Sequence, residues 1–302
     1  MSRLHLYERI INYSITKAIK MNSKRNKLGV MGHPIKHSLS AVMHNAVFRE
    51  LGLDYTYKSF DVIKEHLEDF IDRCKEDFLG LNVTIPHKVE VMKFLDEINS
   101  EAQLIGAVNT IKFENETAKG FNTDGIGCVK ALQESNVSIK DKKILILGAG
   151  GAARAISFQL VLEGADVSIS NRKQRRYMAE DLSRDIKEKL DRDVKIVDFS
   201  INKIEEELRQ VDVLINATPV GMFPNINEII IPVDIIPRDV IVMDIVYNPV
   251  ETRLLREAKM KGCKVVNGVG MFVHQGAESL RIWLGIKAPI ELMRETVLEK
   301  LK

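Results

Sequence analysis

The chain has 302 residues, 45 % of them hydrophobic, enough for one large or two moderate globular domains with real cores. Its net charge is +2, but residues 1–26 carry Arg3, Arg9, Lys17, Lys20, Lys24 and Arg25 against Glu8 alone, a net of +5 that leaves −3 on the rest. That mildly acidic body argues against nucleic acid as the main partner, and the widely separated Cys74, Cys128 and Cys263 match no zinc spacing and read as reduced thiols of a cytoplasmic protein.

After the basic extension, Lys27–Met31 reads as a strand ending in Gly32-His33-Pro34, and Ser40 as the N-cap of a helix from Ala41 to about Glu50. Tyr55–Phe60 reads as a strand, Ile63–Cys74 as a helix and Leu79–Val83 as a strand. A short helix over Lys88–Leu95 and a helical turn at Glu101–Ile105 follow, then short strands at Thr110–Phe113 and Lys119–Asn122. The alternation continues with apolar, β-branched strands at Lys143–Leu147, Val167–Ser170, Val194–Asp198, Asp212–Asn216 and Val240–Asp244. Arg175–Leu190 is a charged helix, and Gly270–Trp283 and Pro289–Leu301 are closing helices. This is an α/β protein. Ile144–Leu162 is mostly apolar and lacks an acid, but three glycines, Arg154 and Gln159 divide it into strand, turn and helix rather than a membrane span.

That stretch carries the most informative motif. Gly148-Ala149-Gly150-Gly151-Ala152-Ala153 joins a strand to a helix, which is the dinucleotide fingerprint in its proper context. Gly148 permits the tight turn, Gly150 lets the backbone approach a pyrophosphate, and Ala153 lets helix and strand pack closely. The helix N-terminus offers free N–H groups and the positive end of its dipole. The next strand ends in Asn171-Arg172-Lys173, with no acid to repel a 2′-phosphate, so Arg172 and Lys173 favour NADP; the alternative is a solvated basic turn. A nucleotide domain placed second implies that the first domain handles the substrate.

The first half holds three polar clusters in loops. In Gly32–Ser40, Ser38 and Ser40 alternate across Leu39, so their hydroxyls can converge on one anion, with capping the competing use of Ser40. His33, His37 and His44 do not have metal-ligand spacing and have no acid or cysteine beside them. The second cluster is Gly80–Lys88, and the third joins Gly106–Thr110 to Gly120–Gly125, where Asp124 either does chemistry or caps a helix beginning at Gly125.

Together these motifs resemble the shikimate dehydrogenase family. The matches run in order: Gly32-x-Pro34-x-x-His37-Ser38-x-Ser40 with His44-Asn45; Asn82-Val83-Thr84-x-Pro86-x-Lys88; Gly106–Thr110; Asn122-Thr123-Asp124-Gly125; and Gly148–Ala152. Asn171-Arg172, Asn216-Ala217-Thr218-Pro219-x-Gly221-Met222, Asp244-x-x-Tyr247-Asn248-Pro249 and Asn267-Gly268-x-x-Met271-x-x-x-Gln275-Gly276-Ala277 complete the series. The similarity covers about residues 27–285. It implies an α/β substrate domain (27–123 and 268–302), a Rossmann-type doubly wound domain (124–267) and an active site in the cleft between them.

The resemblance further implies NADPH-dependent reduction of 3-dehydroshikimate to shikimate, a step of aromatic amino-acid biosynthesis, by a monomer or homodimer with no membrane partner. Carried over by motif, Ser38 and Ser40 bind the substrate carboxylate. Asn82, Thr84, Asn109, Tyr247 and Gln275 line the ring, and Lys88 and Asp124 stand at the reacting carbon. Gly148, Ala149, Gly150, Gly151, Ala152, Asn171, Arg172, Lys173, Thr218, Ile245 and Gly268 hold the cofactor, and no metal is implied. Two roles are open to Lys88, proton donor and electrostatic clamp. One departure is Ala41, where the family usually has proline. The competing expectations are a quinate/shikimate dehydrogenase with relaxed cofactor use and a non-catalytic ligand sensor; the sensor is free to lose Lys88 or Asp124, and both are present.

The extension, with Leu6, Ile10, Ile11 and Ile15 among its bases, reads as an amphipathic basic helix, a transit peptide or a dispensable stretch, and we read it as dispensable. A chain starting at Met21 is expected to keep the turnover and Michaelis constants of the whole chain; loss of activity in a soluble truncation contradicts this.

Overall fold

In a computed structural model, residues 25–302 are described, so the expectation about the extension lies outside the described residues. Two six-stranded sheets form the framework. The first contains β1 (Lys27–Gly32), β2 (Thr56–Asp61), β3 (Phe78–Val83), β4 (Glu97–Ile98), β5 (Thr110–Glu114) and β6 (Thr117–Phe121), in the order β2-β1-β3-β5-β6-β4. β1 runs parallel to β2 and β3, whereas β5 is antiparallel to β3 and to β6. The second sheet is parallel throughout, in the order β12-β11-β10-β7-β8-β9. Its strands are β7 (Lys143–Leu147), β8 (Asp166–Asn171), β9 (Lys195–Asp198), β10 (Val213–Asn216), β11 (Ile241–Asp244) and β12 (Val265–Val266).

Strand alternation explains why the central strands carry consecutive apolar residues. Ile144 and Ile146 enter one core, with Val213 and Ile215, while Leu145 and Leu147 enter the opposite core with Leu214 and Val242. Helices cover both faces, as a parallel sheet requires. The first sheet divides likewise: Leu28 and Val30 pack on one side, Met31, Leu81 and Val83 on the other. The helices Gly268–Leu284 and Ile290–Lys300 return to this first sheet, placing Val273, Leu280, Trp283, Met293 and Val297 against Leu28, Val30, Val47 and Phe48. The Trp283 indole N–H donates to the Ile111 carbonyl at 2.8 Å, so the buried ring leaves no polar atom unpaired.

Most expected elements are present with shifted ends, and three differences have local causes. No α-helix forms over Lys88–Leu95; a 3₁₀ turn spans Glu90–Phe94 instead. An α-helix there needs the Lys88 carbonyl to accept from Met92, but that carbonyl accepts from Val108 N at 2.7 Å, and Met92 N turns to Val89 O. Ser40 does not cap; Leu39 is the cap residue and Ser40 is the first residue of the helix Ser40–Glu50. Asp124 likewise begins the helix Asp124–Glu134 from inside, with Thr123 as the cap residue.

The two lobes are joined by polar contacts at the end of the helix Ser100–Ile105. Its terminal carbonyls have no intrahelical donors and sit at the negative end of the dipole, so cations suit them. Lys189 Nζ donates to Leu104 O at 2.8 Å, and Arg154, from the helix Gly151–Leu162, donates to Ile105 O while also pairing with Asp185.

Candidate active site

The loop after β3 is pinned on both sides before it delivers Lys88. Val83 N donates to Asn109 O at 2.8 Å, Thr84 N to Met31 O at 2.9 Å, and the buried His87 ring bonds Val62 O at 2.6 Å. Lys88 Nζ then donates to Asp124 Oδ2 at 2.5 Å, with the side chains only 14 % and 5 % exposed. Asp124 Oδ1 accepts from Asn109 Nδ2 at 2.9 Å. The carboxylate lies in the first turn of its helix, where the dipole favours negative charge. Among the described residues Lys88 Nζ has no other hydrogen-bond partner, which leaves two of its three N–H groups without a protein acceptor.

The other expected substrate residues are held as follows. Ser38 and Ser40 converge, Ser38 Oγ donating to Ser40 Oγ at 3.2 Å, as the pairing of their hydroxyls on one anion requires. Asn82 is buried, its Nδ2 facing Asn109 O, Thr110 Oγ1 and Ser279 Oγ at 2.9–3.1 Å. Asn109 is fully engaged: Nδ2 donates to Thr123 Oγ1 as well as Asp124, and Oδ1 accepts from Thr123 N and Thr110 Oγ1. Thr84 is half-buried on the β3 loop, and Gln275 Nε2 donates back to Phe272 O at 2.8 Å. Tyr247 stacks on Phe272 at 4.1 Å. Burial pushes its phenol pKa up, and a hydrogen bond from the Leu39 backbone pulls it back. The three histidines disperse: His33 pairs with Asp61, His37 meets Phe223 edge-on, and His44 is buried.

The glycine motif meets this cluster from the second lobe. A Cβ on Gly151 would come within 2.9 Å of Lys88 Cβ, so only glycine lets the N-terminus of the helix Gly151–Leu162 approach the lysine. Gly148 has φ +114° and lies against Ala217 and Thr218, at the switch point where the strand order turns from β7 to β10. A Cβ on Gly150 would meet nothing within 4 Å, so open space lies before the helix N-terminus, which is the cradle a phosphate needs. Ala149 and Ala152 continue the loop into the helix. The Asn171 side chain holds the next turn, accepting from Arg172 N and donating to Arg175 O. Arg172 is exposed, makes no side-chain hydrogen bond among the described residues, and lines a cavity of about 320 Å³ with Phe199, Val220, Ile229 and Arg253. Lys173 is exposed beside it. An unpaired guanidinium at the β8 end and a phosphate cradle at the β7 end fit a dinucleotide carrying a 2′-phosphate.

Asp244, noted in the sequence only as part of a motif, organises the far side of this crevice. It is fully buried and accepts from Asn216 Nδ2 at 3.0 Å, Val246 N at 3.0 Å and Thr252 Oγ1 at 2.7 Å. Asn216 Oδ1 in turn accepts from Thr218 N and Thr218 Oγ1. One carboxyl group thereby joins the β10 loop, with Thr218, to the β11 loop, with Ile245, whose N–H donates to Asn216 O. Gly268 lies directly against the Ile245 and Val246 carbonyls. Burial pushes the Asp244 pKa up to about 6 against the pull of its three hydrogen bonds.

Three family models match the chain: the shikimate dehydrogenase substrate binding domain over residues 30–111, shikimate / quinate 5-dehydrogenase over 130–240 and the shikimate 5'-dehydrogenase C-terminal domain over 268–298. The chain is 48 % identical over 284 residues to the shikimate dehydrogenase (NADP(+)) of Methanocaldococcus jannaschii, covering 93 % of this chain and 99 % of that protein. Its structure superposes on a crystal structure of a shikimate dehydrogenase in complex with NADP+ with a TM-score of 0.87, at 47 % identity over 93 % of this chain and 97 % of the other. It also superposes on the shikimate 5-dehydrogenase of Thermus thermophilus in complex with NADP(H) and shikimate, with a TM-score of 0.82, 35 % identity and 90 % and 98 % coverage.

The Asp244 environment generates a prediction with a definite sign. A carboxyl whose folded pKa is raised from 3.8 to about 6 binds protons more tightly when folded, so its contribution to stability is present below the unfolded pKa and lost as pH rises through about 6. Asp244→Asn cannot ionise, so denaturant midpoints measured from pH 4 to 7 are expected to show the unsubstituted protein losing stability relative to the variant across that window. A relative gain instead means that the three donors outweigh burial.

Proposed function

The chain belongs to the shikimate dehydrogenase family, and from that premise we propose that it reduces 3-dehydroshikimate to shikimate with NADPH, reversibly. The observation that carries this reading is the buried Lys88–Asp124 pair abutting the glycine motif at Gly151. NADPH, when bound, supplies hydride to the ketone carbon. Lys88 does the rest at the oxygen: with one N–H held by Asp124, its remaining N–H groups bond the oxygen as charge develops, and one proton passes from Nζ to it. Asp124 orients the ammonium and accepts from a neighbouring substrate hydroxyl, while Asn109 holds Asp124 from behind.

Substrate orientation falls to the first lobe. Ser38 and Ser40 donate to the carboxylate, and Asn82, Thr84, Asn109, Tyr247 and Gln275 line the ring. On the cofactor side, Gly148, Ala149, Gly150, Gly151 and Ala152 present backbone N–H groups to the pyrophosphate, and Asn171 holds the turn from which Arg172 and Lys173 meet the 2′-phosphate. Thr218, Ile245 and Gly268 complete the cofactor site on the β10–β11 side. The division of labour follows: residues 27–123 with 268–302 hold substrate, and 124–267 hold NADP. We place the enzyme in the cytoplasm, a reading supported by its free Cys74, Cys128 and Cys263.

The test is an absorbance assay at the nicotinamide band, with shikimate and quinate each offered with NADP and with NAD. Shikimate with NADP is expected to react fastest. Faster turnover of quinate would favour the quinate/shikimate alternative, and a folded protein that turns over neither overturns the reading. Arg172→Ala removes a charge-assisted contact worth about 1.5–3 kcal/mol, so the Michaelis constant for NADP is expected to rise roughly 10- to 150-fold while that for NAD is spared. Equal weakening of both cofactors would assign Arg172 to loop support.

A further inference from the structure

Tyr57 stands outside the motifs, yet its backbone and its ring are both held beside the substrate loops. It lies on β2, at the edge of the first sheet, where its outward backbone groups have no neighbouring strand. Asn45, one turn beyond Ser40 on the adjacent helix, replaces that strand: its Nδ2 donates to Tyr57 O and its Oδ1 accepts from Tyr57 N, both at 2.9 Å. The ring, 2 % exposed, stacks on His44 at 4.4 Å with an interplanar angle of 18°. Backbone and ring are thus fixed before the hydroxyl makes any contact.

That hydroxyl donates to Asn82 Oδ1 at 2.7 Å. From Asn82 the donors run one way. Asn82 Nδ2 donates to Thr110 Oγ1 at 3.0 Å, Thr110 Oγ1 to Asn109 Oδ1 at 3.0 Å, and Asn109 Nδ2 to Asp124 Oδ1 at 2.9 Å. Ser279 Oγ, from the helix Gly268–Leu284, accepts a second bond from Asn82 Nδ2 at 2.9 Å. Every member between Tyr57 and Asp124 is buried, so each bond forms without competition from water and an unmade one leaves a costly orphan.

We propose that Tyr57 is a positioning residue of the substrate site, whose hydroxyl fixes the amide of Asn82 and so, through Thr110 and Asn109, keeps that amide in register with Asp124 and Lys88. Among the described residues Tyr57 is the one donor to Asn82 Oδ1. Without it the amide keeps its acceptors but loses the contact that sets its plane. Burial drives the phenol pKa well above its ordinary value, which keeps the group a donor across the working pH range. The inference rests on the reading of Asn82, Lys88 and Asp124 as parts of one substrate site.

Tyr57→Phe keeps the ring and removes the hydroxyl. It is expected to raise the Michaelis constant for shikimate about 5- to 12-fold, the equivalent of one buried hydrogen bond, with the constant for NADP unchanged. Combined with Asn82→Ala, the rise is expected to fall short of the product of the two single effects, since both act on one contact. Should Tyr57→Phe not fold, Ser279→Ala removes an acceptor from the same Asn82 amide and is expected to raise the shikimate constant about 2- to 5-fold, again sparing NADP. Equal movement of both Michaelis constants, no movement of either, or multiplicative behaviour with Asn82→Ala overturns the proposal. The unsubstituted enzyme in the same assay separates the two levels: no turnover of shikimate there rejects the functional reading itself, whereas normal turnover with an unaffected variant rejects only the role of Tyr57.

Discussion

A lysine ammonium and an aspartate carboxylate, 2.5 Å apart and nearly shut off from water, set the constraint around which both lobes are arranged. Burying two ions costs several kcal/mol each, by the general scale of about that size for ions withdrawn from water, and the pair is tolerable only with good geometry and further hydrogen bonds. The structure supplies both. Asp124 has a helix N-terminus behind it and the Asn109 amide beside it. Lys88 is delivered by a loop whose backbone is bonded to Val108 and whose neighbour His87 is bonded to Val62. Asp124 also begins the helix by which the chain leaves the first sheet for the second, so the pair marks the point where the two lobes meet.

The second lobe is built to reach that point. The approach of Gly151 to Lys88 brings the N-terminus of the glycine-motif helix up to the lysine, and Arg154 and Lys189 hold the same helix and its neighbour to the carbonyls of Ser100–Ile105. Asp244 then ties the β10 and β11 loops together across the crevice. A hydride transfer requires two bound molecules at fixed separation, and effective molarity falls steeply when that geometry loosens. These contacts bear on turnover through positioning, although none of them touches the reacting atoms.

Much of this was legible along the chain. The central parallel strands β7, β10 and β11 are largely apolar runs, because both faces of the second sheet are buried, and Gly148–Gly151 and Lys88 sit in loops whose composition is distinctive. Less local features were hidden. The 3₁₀ turn at Glu90–Phe94 depends on Val108, twenty residues away from Lys88, capturing a carbonyl. The two-residue strands β4 and β12 exist only through pairing with β6 and β11, and the helices Ile201–Leu208 and Arg253–Lys261 are short segments rich in charge. Ser40 carries a capping residue type, but it lies inside its helix with its hydroxyl turned to Ser38. Tyr57 and Ser279 read as ordinary strand and helix positions, because what distinguishes them is a buried amide contributed from β3.

The central claim is that Lys88, held by Asp124, supplies the proton and the charge stabilisation at the substrate oxygen. Turnover of Lys88→Ala with shikimate and NADP, alongside its binding of NADP, tests this most directly. The account predicts a fall in turnover of about two to four orders of magnitude, the usual span for a positioned acid/base group, with NADP affinity retained. Near-normal turnover in the variant would contradict it and remove Lys88 from the chemistry.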